Sequence, residues 1–180
     1  MKTSSTKFAI SDDSIKVVVL VSNVARYYRT LIDRELEPFG VTRSQWWALS
    51  TLYFHEGVTQ IELANLLDIG KSSTGKLLAK LEEKGWIVRV PDENDGRAIK
   101  VKLSEDIRPV IERLVDLTGA IVSSVLGDFS REESRDLVML LSKLSKGFSR
   151  QGLYSPDIDS LRGDLRREAK QRNLKMLEPY

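Results

Sequence analysis

At 180 residues, with 41% apolar and 30% charged side chains, the chain has an ordinary globular composition and room for one full domain plus an appendage. A formal net charge of +2 does not by itself announce a polyanionic partner. The absence of cysteine excludes disulfides and thiolate metal sites, the single histidine, His55, argues against a histidine-based metal site, and no cofactor is expected.

Near the N-terminus the apolar run VVVLV at 17–21 falls far short of the roughly 20 residues a membrane span needs. Asp12 and Asp13 stand where a signal peptide would be positively charged, so a cytoplasmic chain with no membrane partner is expected. From Asp12 to Glu37 there is no Gly or Pro, and Ile15, Val18, Val19, Ser22, Ala25, Tyr28, Leu31, Ile32 and Leu36 recur at helical steps. This predicts one long helix, stopped by Pro38 and Gly40. A second, aromatic-rich helix is predicted from Arg43 to His55, with Gly57 as its stop.

Thr59-Gln-Ile-Glu62 reads as a capping box opening a short helix over 59–68, with Ile61, Ala64 and Leu67 as its buried stripe. After a break at Asp68 to Gly70, Leu77, Leu78 and Leu81 continue a helix over 71–84, for which Gly85 has the character of a C-cap with Trp86 packing back. Two short helices joined by a tight Gly-containing turn form a helix-turn-helix. Gly70, Gly75 and Lys76 also fall at phosphate-loop spacing, the one enzymatic alternative. That reading needs a strand before the loop and a hydroxyl after the Lys, where the sequence has a helix and Leu77.

WIVRV at 86–90 and AIKVKL at 98–103 read as two strands flanking PDENDGR, which makes a basic β-hairpin and, beside a helix-turn-helix, a wing. Ser104 is expected to cap a helix from about Glu105 to Asp128, and Ser130 with Glu133 to open another from Arg131 to Gln151. The segment 152–180 is a charged appendage, and 143–175 carries nine Lys or Arg against four Asp or Glu. Such a tail serves as a solvated helix, extends a DNA contact, or attracts an anionic ligand such as a coenzyme A thioester.

This order of elements, and above all TQIELANLLDIGKSSTGKLLAKLEEKGWIVRVPDENDGRAIKVKLS at 59–104, resembles the MarR family of winged-helix transcriptional regulators. The resemblance implies a mostly α fold with a small β-hairpin wing. It also implies a homodimer built from helices at 12–37 and 105–151, with the winged helix-turn-helix at 43–103, and it leaves the extension at 152–180 outside the family's core. Its implied partner is double-stranded DNA bearing a pseudo-palindromic operator, and its implied action is repression released by a small ligand. A winged-helix interaction module without specific DNA binding is the other non-enzymatic alternative.

By position, Asp95 and Arg97 look like the family's wing pair, in which the Arg enters the minor groove and the Asp orients it, although a structural pairing of Arg97 with a carboxylate is the alternative. Lys71, Ser72, Ser73, Lys76 and Lys80 fall on the outward side of the recognition helix, and Arg89 and Lys100 complete the expected DNA-binding set. From 71 to 102 eight Lys or Arg face five Asp or Glu, a modestly basic balance. Gly75, unusual in such a helix, either allows close backbone approach to DNA or is simply tolerated. Arg26, Tyr27, Arg43, Trp46, Trp47 and His55 are the candidate residues for an aromatic or anionic effector, against the alternative that these aromatics are ordinary core.

Overall fold

Ser11 begins the first helix by accepting a hydrogen bond from the Ser14 N–H at 3.2 Å, a serine cap that Ser130 also provides for a later helix. The computed structural model describes residues 11–92 and 98–151. Helix α1 (Asp12–Leu36) ends in a 3₁₀ turn, Glu37–Phe39, and Gly40 closes it with φ of 62°. The chain divides after Arg43 into two units. In the first, Ile32, Leu36 and Val41 are buried, while the apolar residues from Ile15 to Val24 stand in solvent.

The second unit continues with α2 (Arg43–Phe54), β1 (Val58–Thr59), α3 (Gln60–Leu67), α4 (Lys71–Glu83), β2 (Ile87–Pro91) and β3 (Ile99–Leu103), followed by α5 (Arg108–Val125) and α6 (Arg131–Ser149). The strands form one antiparallel sheet in the order β1-β3-β2, with Val101 paired to Val58 on one side and Arg89 on the other. The sheet thus has three strands where two were expected. Ala48, Leu49, Leu52, Leu63, Leu67, Leu78, Leu81, Ile87, Val101, Leu103, Ile111 and Leu114 make its apolar core.

Local chemistry explains the element ends. The Thr59 hydroxyl accepts from the Glu62 N–H while the Glu62 carboxylate accepts from the Thr59 N–H at 2.7 Å, and Ser130 with Glu133 repeats the arrangement at α6. At the end of α4, Gly85 (φ 69°) donates to Glu82 O and Trp86 donates to Leu81 O, the paired bonds of a Schellman cap. Between α3 and α4 the left-handed residue is Asp68, with φ of 50°, and not Gly70, which is extended and serves as the N-cap of α4.

Two further expectations are corrected. Ile61 is 54% exposed, and the buried stripe of α3 is Leu63, Ala64 and Leu67. Ser104 does not cap α5: its N–H donates to Trp86 O at 3.0 Å, which holds it at the end of the β2–β3 ladder, and α5 starts only at Arg108 with Pro109 in its first turn. The Ser104 hydroxyl is buried without a hydrogen-bond partner. Arg108 instead forms ion pairs with Glu56 and Glu105, and the Glu56 hydrogen bond raises its pKa above the ordinary arginine value.

Candidate nucleic-acid interface

Helix α4 is anchored by Thr74, Leu78 and Leu81, all fully buried, and the Thr74 hydroxyl donates to Gly70 O at 3.2 Å within the first turn. The opposite face carries Lys71, Ser72, Ser73, Lys76 and Lys80, all exposed as expected. Among the described residues none of these three lysines forms an ion pair. Gly70 supplies no side-chain cap, so the first-turn N–H groups of α4 keep hydrogen-bonding capacity at the positive end of the helix dipole. An exposed helix with three unpaired cations and a donor-rich N-terminus suits a phosphate-bearing polymer.

The wing side is electrostatically different. Arg89 on β2 donates from Nε to Glu82 Oε2 at 3.0 Å and from Nη1 to Gln60 Oε1 at 3.2 Å. Lys100 on β3 pairs with Asp92 at 3.0 Å, and Asp92 extends the ladder by donating its N–H to Ala98 O at 2.9 Å. Both cations are therefore engaged in holding the fold. Lys84 lies 4.0 Å over the Trp86 ring, a cation–π contact at the end of α4. Asp95 and Arg97, the expected wing pair, lie outside the described residues.

The Glu62 carboxyl of the α3 capping box is held below its ordinary value of 4.5, chiefly by the Thr59 backbone N–H and then by the Thr59 hydroxyl. This stabilises the start of the first helix of the motif. Gly75 on α4 faces Gln60 of α3: a Cβ built there would stand 3.3 Å from Gln60 Nε2. Nothing in the sequence marks Gln60, a neutral residue 15 positions away, as a neighbour of Gly75.

The profile of the MarR family matches residues 39–98, the span from the end of the 3₁₀ turn to the start of β3. The fold is likewise similar to that of a MarR protein from Peptoclostridium difficile, at 20% identity and a TM-score of 0.66, covering 84% of this chain and 94% of that one. The chain thus resembles the MarR family over residues 39–98 and in its fold. Two further similar structures are protein–DNA complexes. One is S. aureus MepR in a DNA complex, at 23% identity and TM-score 0.67, covering 77% of this chain and 97% of that one. The other is a mutant MarR from E. coli with operator DNA, at 25% identity and TM-score 0.64, covering 74% and 96%. The residues that suggested a phosphate loop are here Gly70, the N-cap of α4, and Gly75 and Lys76 within that helix, with α3 in place of the required strand.

The candidate effector residues divide between the units. In the first, the Arg26 guanidinium lies 4.5 Å over the Tyr27 ring on the exposed side of α1, and Arg43 pairs with Asp33 at 3.1 Å. In the second, Trp47 is 53% exposed and Trp46 is part-buried, which is the split that adjacent residues on one helix require. His55 is part-buried just past the end of α2, its N–H donating to Thr51 O at 2.8 Å. Among the described residues no group of histidines, cysteines and carboxylates could hold a metal ion, and no helix is long and apolar enough to cross a membrane.

Proposed function

We propose that this chain is a homodimeric DNA-binding regulator of the MarR family that represses transcription and is released by a small ligand. The observation that carries the DNA reading is the outward face of α4, where Lys71, Lys76 and Lys80 stand exposed and unpaired beside the uncapped helix start. The lysines neutralise phosphates and fix register, while Ser72 and Ser73 at the helix start reach base edges or phosphates. The wing's Asp95 and Arg97 contribute a minor-groove contact, with the Arg responding to groove width.

Dimerisation is supported by α6. It has no buried residue over 19 positions, yet Leu137, Leu141, Leu144 and Phe148 recur along it at helical spacing. On α1, Val18, Leu20 and Val24 are each at least 60% exposed. Apolar faces of this kind are covered in the functional state by a second copy. For the effector, the exposed Trp47 ring favours an aromatic molecule.

The test is the salt dependence of binding to a duplex that the full chain selects from a randomised pool. Lys76→Ala and Lys80→Ala should each weaken binding and lower the slope of log K against log salt by about 0.9 for every phosphate no longer neutralised. Unchanged affinity and slope in both variants would remove α4 from the interface and favour an interaction module without specific DNA binding. Screening aromatic carboxylates and coenzyme A thioesters for release of that duplex, with Trp47→Phe as the comparison, tests the ligand half.

A further inference from the structure

Glycine weakens a helix interior, yet Gly75 sits in the middle of α4, and its neighbour shows what the missing side chain makes room for. A Cβ at Gly75 would come within 3.3 Å of Gln60 Nε2. The other end of that amide is fixed: Gln60 Oε1 accepts from Arg89 Nη1 at 3.2 Å, and Arg89 Nε donates to Glu82 at 3.0 Å. Glu82 lies two turns beyond Gly75 on the same edge of α4. One bridge therefore ties α4 to β2, β2 to α3, and α3 back onto α4.

The orientation of the amide follows from the inventory of donors. A guanidinium has only N–H donors, so the oxygen of Gln60 must face Arg89 and its NH₂ group must face the recognition helix. Among the described residues that NH₂ group has no acceptor. A polar donor beside the exposed face of α4 is therefore held in one orientation with hydrogen-bonding capacity to spare. Asn and Gln side chains are among the groups that hydrogen-bond DNA, at phosphates or, bidentately, at adenine.

We infer that Gln60 contacts DNA through its amide N–H groups at the edge of the recognition helix, that Arg89 is a positioning residue acting through Gln60, and that Gly75 is the space the arrangement needs. This rests on the DNA-binding reading above. It moves Arg89 from the set of phosphate ligands to the set of residues that aim one.

The test measures binding of a duplex selected by the full-length chain from a randomised pool, across a range of salt concentrations. Gln60→Ala and Arg89→Gln should each weaken binding by about tenfold, the scale of one hydrogen bond to an oriented donor, with the salt slope unchanged because every phosphate-bound cation stays in place. The double variant should be no weaker than either single one. A slope reduced by about 0.9 in Arg89→Gln would make Arg89 a phosphate ligand and overturn the positioning role. Losses that add in the double variant would do the same. Gly75→Ala guards against a trivial folding defect: it should keep or raise thermal stability while weakening binding. In the wild type the side-chain amide resonances of Gln60 should shift on adding the duplex, and Arg89→Gln should broaden or move them without DNA. If the wild type selects no duplex, the DNA-binding reading fails and this inference with it. If it binds tightly while Gln60→Ala binds equally well, the inference alone fails.

Discussion

Two residues at the turn of the helix-turn-helix divide its duties in an unexpected way. Asp68 takes the left-handed conformation, which a short polar side chain tolerates, and Gly70 takes an ordinary extended one. A Cβ at Gly70 would meet nothing within 4 Å. Gly70→Ser should therefore be accepted and should cap α4, raising stability by a few tenths of a kcal/mol relative to glycine in a denaturant titration. The same change would place a hydroxyl across the donor-rich helix start, so it should also weaken DNA binding. Stability that falls on this substitution would show that Gly70 is not the N-cap. At Gly75 two effects compete. Alanine gains about 1 kcal/mol of helix propensity, and its methyl group presses on the Gln60 amide by a few tenths of an ångström. The amide yields by tilting away from α4 about its bond to Arg89, which costs less than the helix gains, so stability should hold or rise while the aim of the amide is lost.

At the scale of the element, the capping box of α3 gives a pH-dependent prediction. Folding lowers the pKa of Glu62 below 4.5, so its contribution is complete above the unfolded value and is lost as pH falls through the folded one. The stability gap between the wild type and Glu62→Gln should be largest near neutral pH and should narrow as the pH falls below 4.5. A gap that widened with acid would contradict the assigned bonds. Thr59→Ala removes the other half of the box and should cost about 1 kcal/mol. These elements were legible in the sequence because caps are local: Thr59 with Glu62, Ser130 with Glu133, and Gly85 with Trp86 lie within a few residues of each other. What was illegible is tertiary. Strand β1 is two residues long and has no alternation to read, and Ser104 is claimed by the Trp86 carbonyl across the hairpin rather than by the helix after it. Arg89 reads as a free cation until Glu82 and Gln60 are found beside it.

At the scale of the whole molecule, much of α1 and α6 is left without cover among the described residues. In α1 only Ile32 and Leu36 are buried, although apolar residues run along its entire length. The periodicity was visible in the sequence, but a pattern states only that a face is apolar and not which chain covers it. Light scattering should give twice the mass of one chain. Leu141→Glu, which puts a charge on the exposed apolar face of α6, should shift the population toward monomer and lower DNA affinity, because paired half-sites need paired lobes. A monomeric wild type would contradict the dimer. The central claim, specific DNA recognition by a dimer, is tested most directly by incubating the full chain with fragmented DNA from its source genome at near-physiological salt and sequencing the bound fragments. The expected result is enrichment of a few sites sharing a pseudo-palindrome with half-sites about one helical turn apart. Recovery of fragments with no sequence enriched would contradict it, leaving a winged-helix fold whose α4 binds DNA without reading it, and no recovery would leave one that does not bind DNA at all.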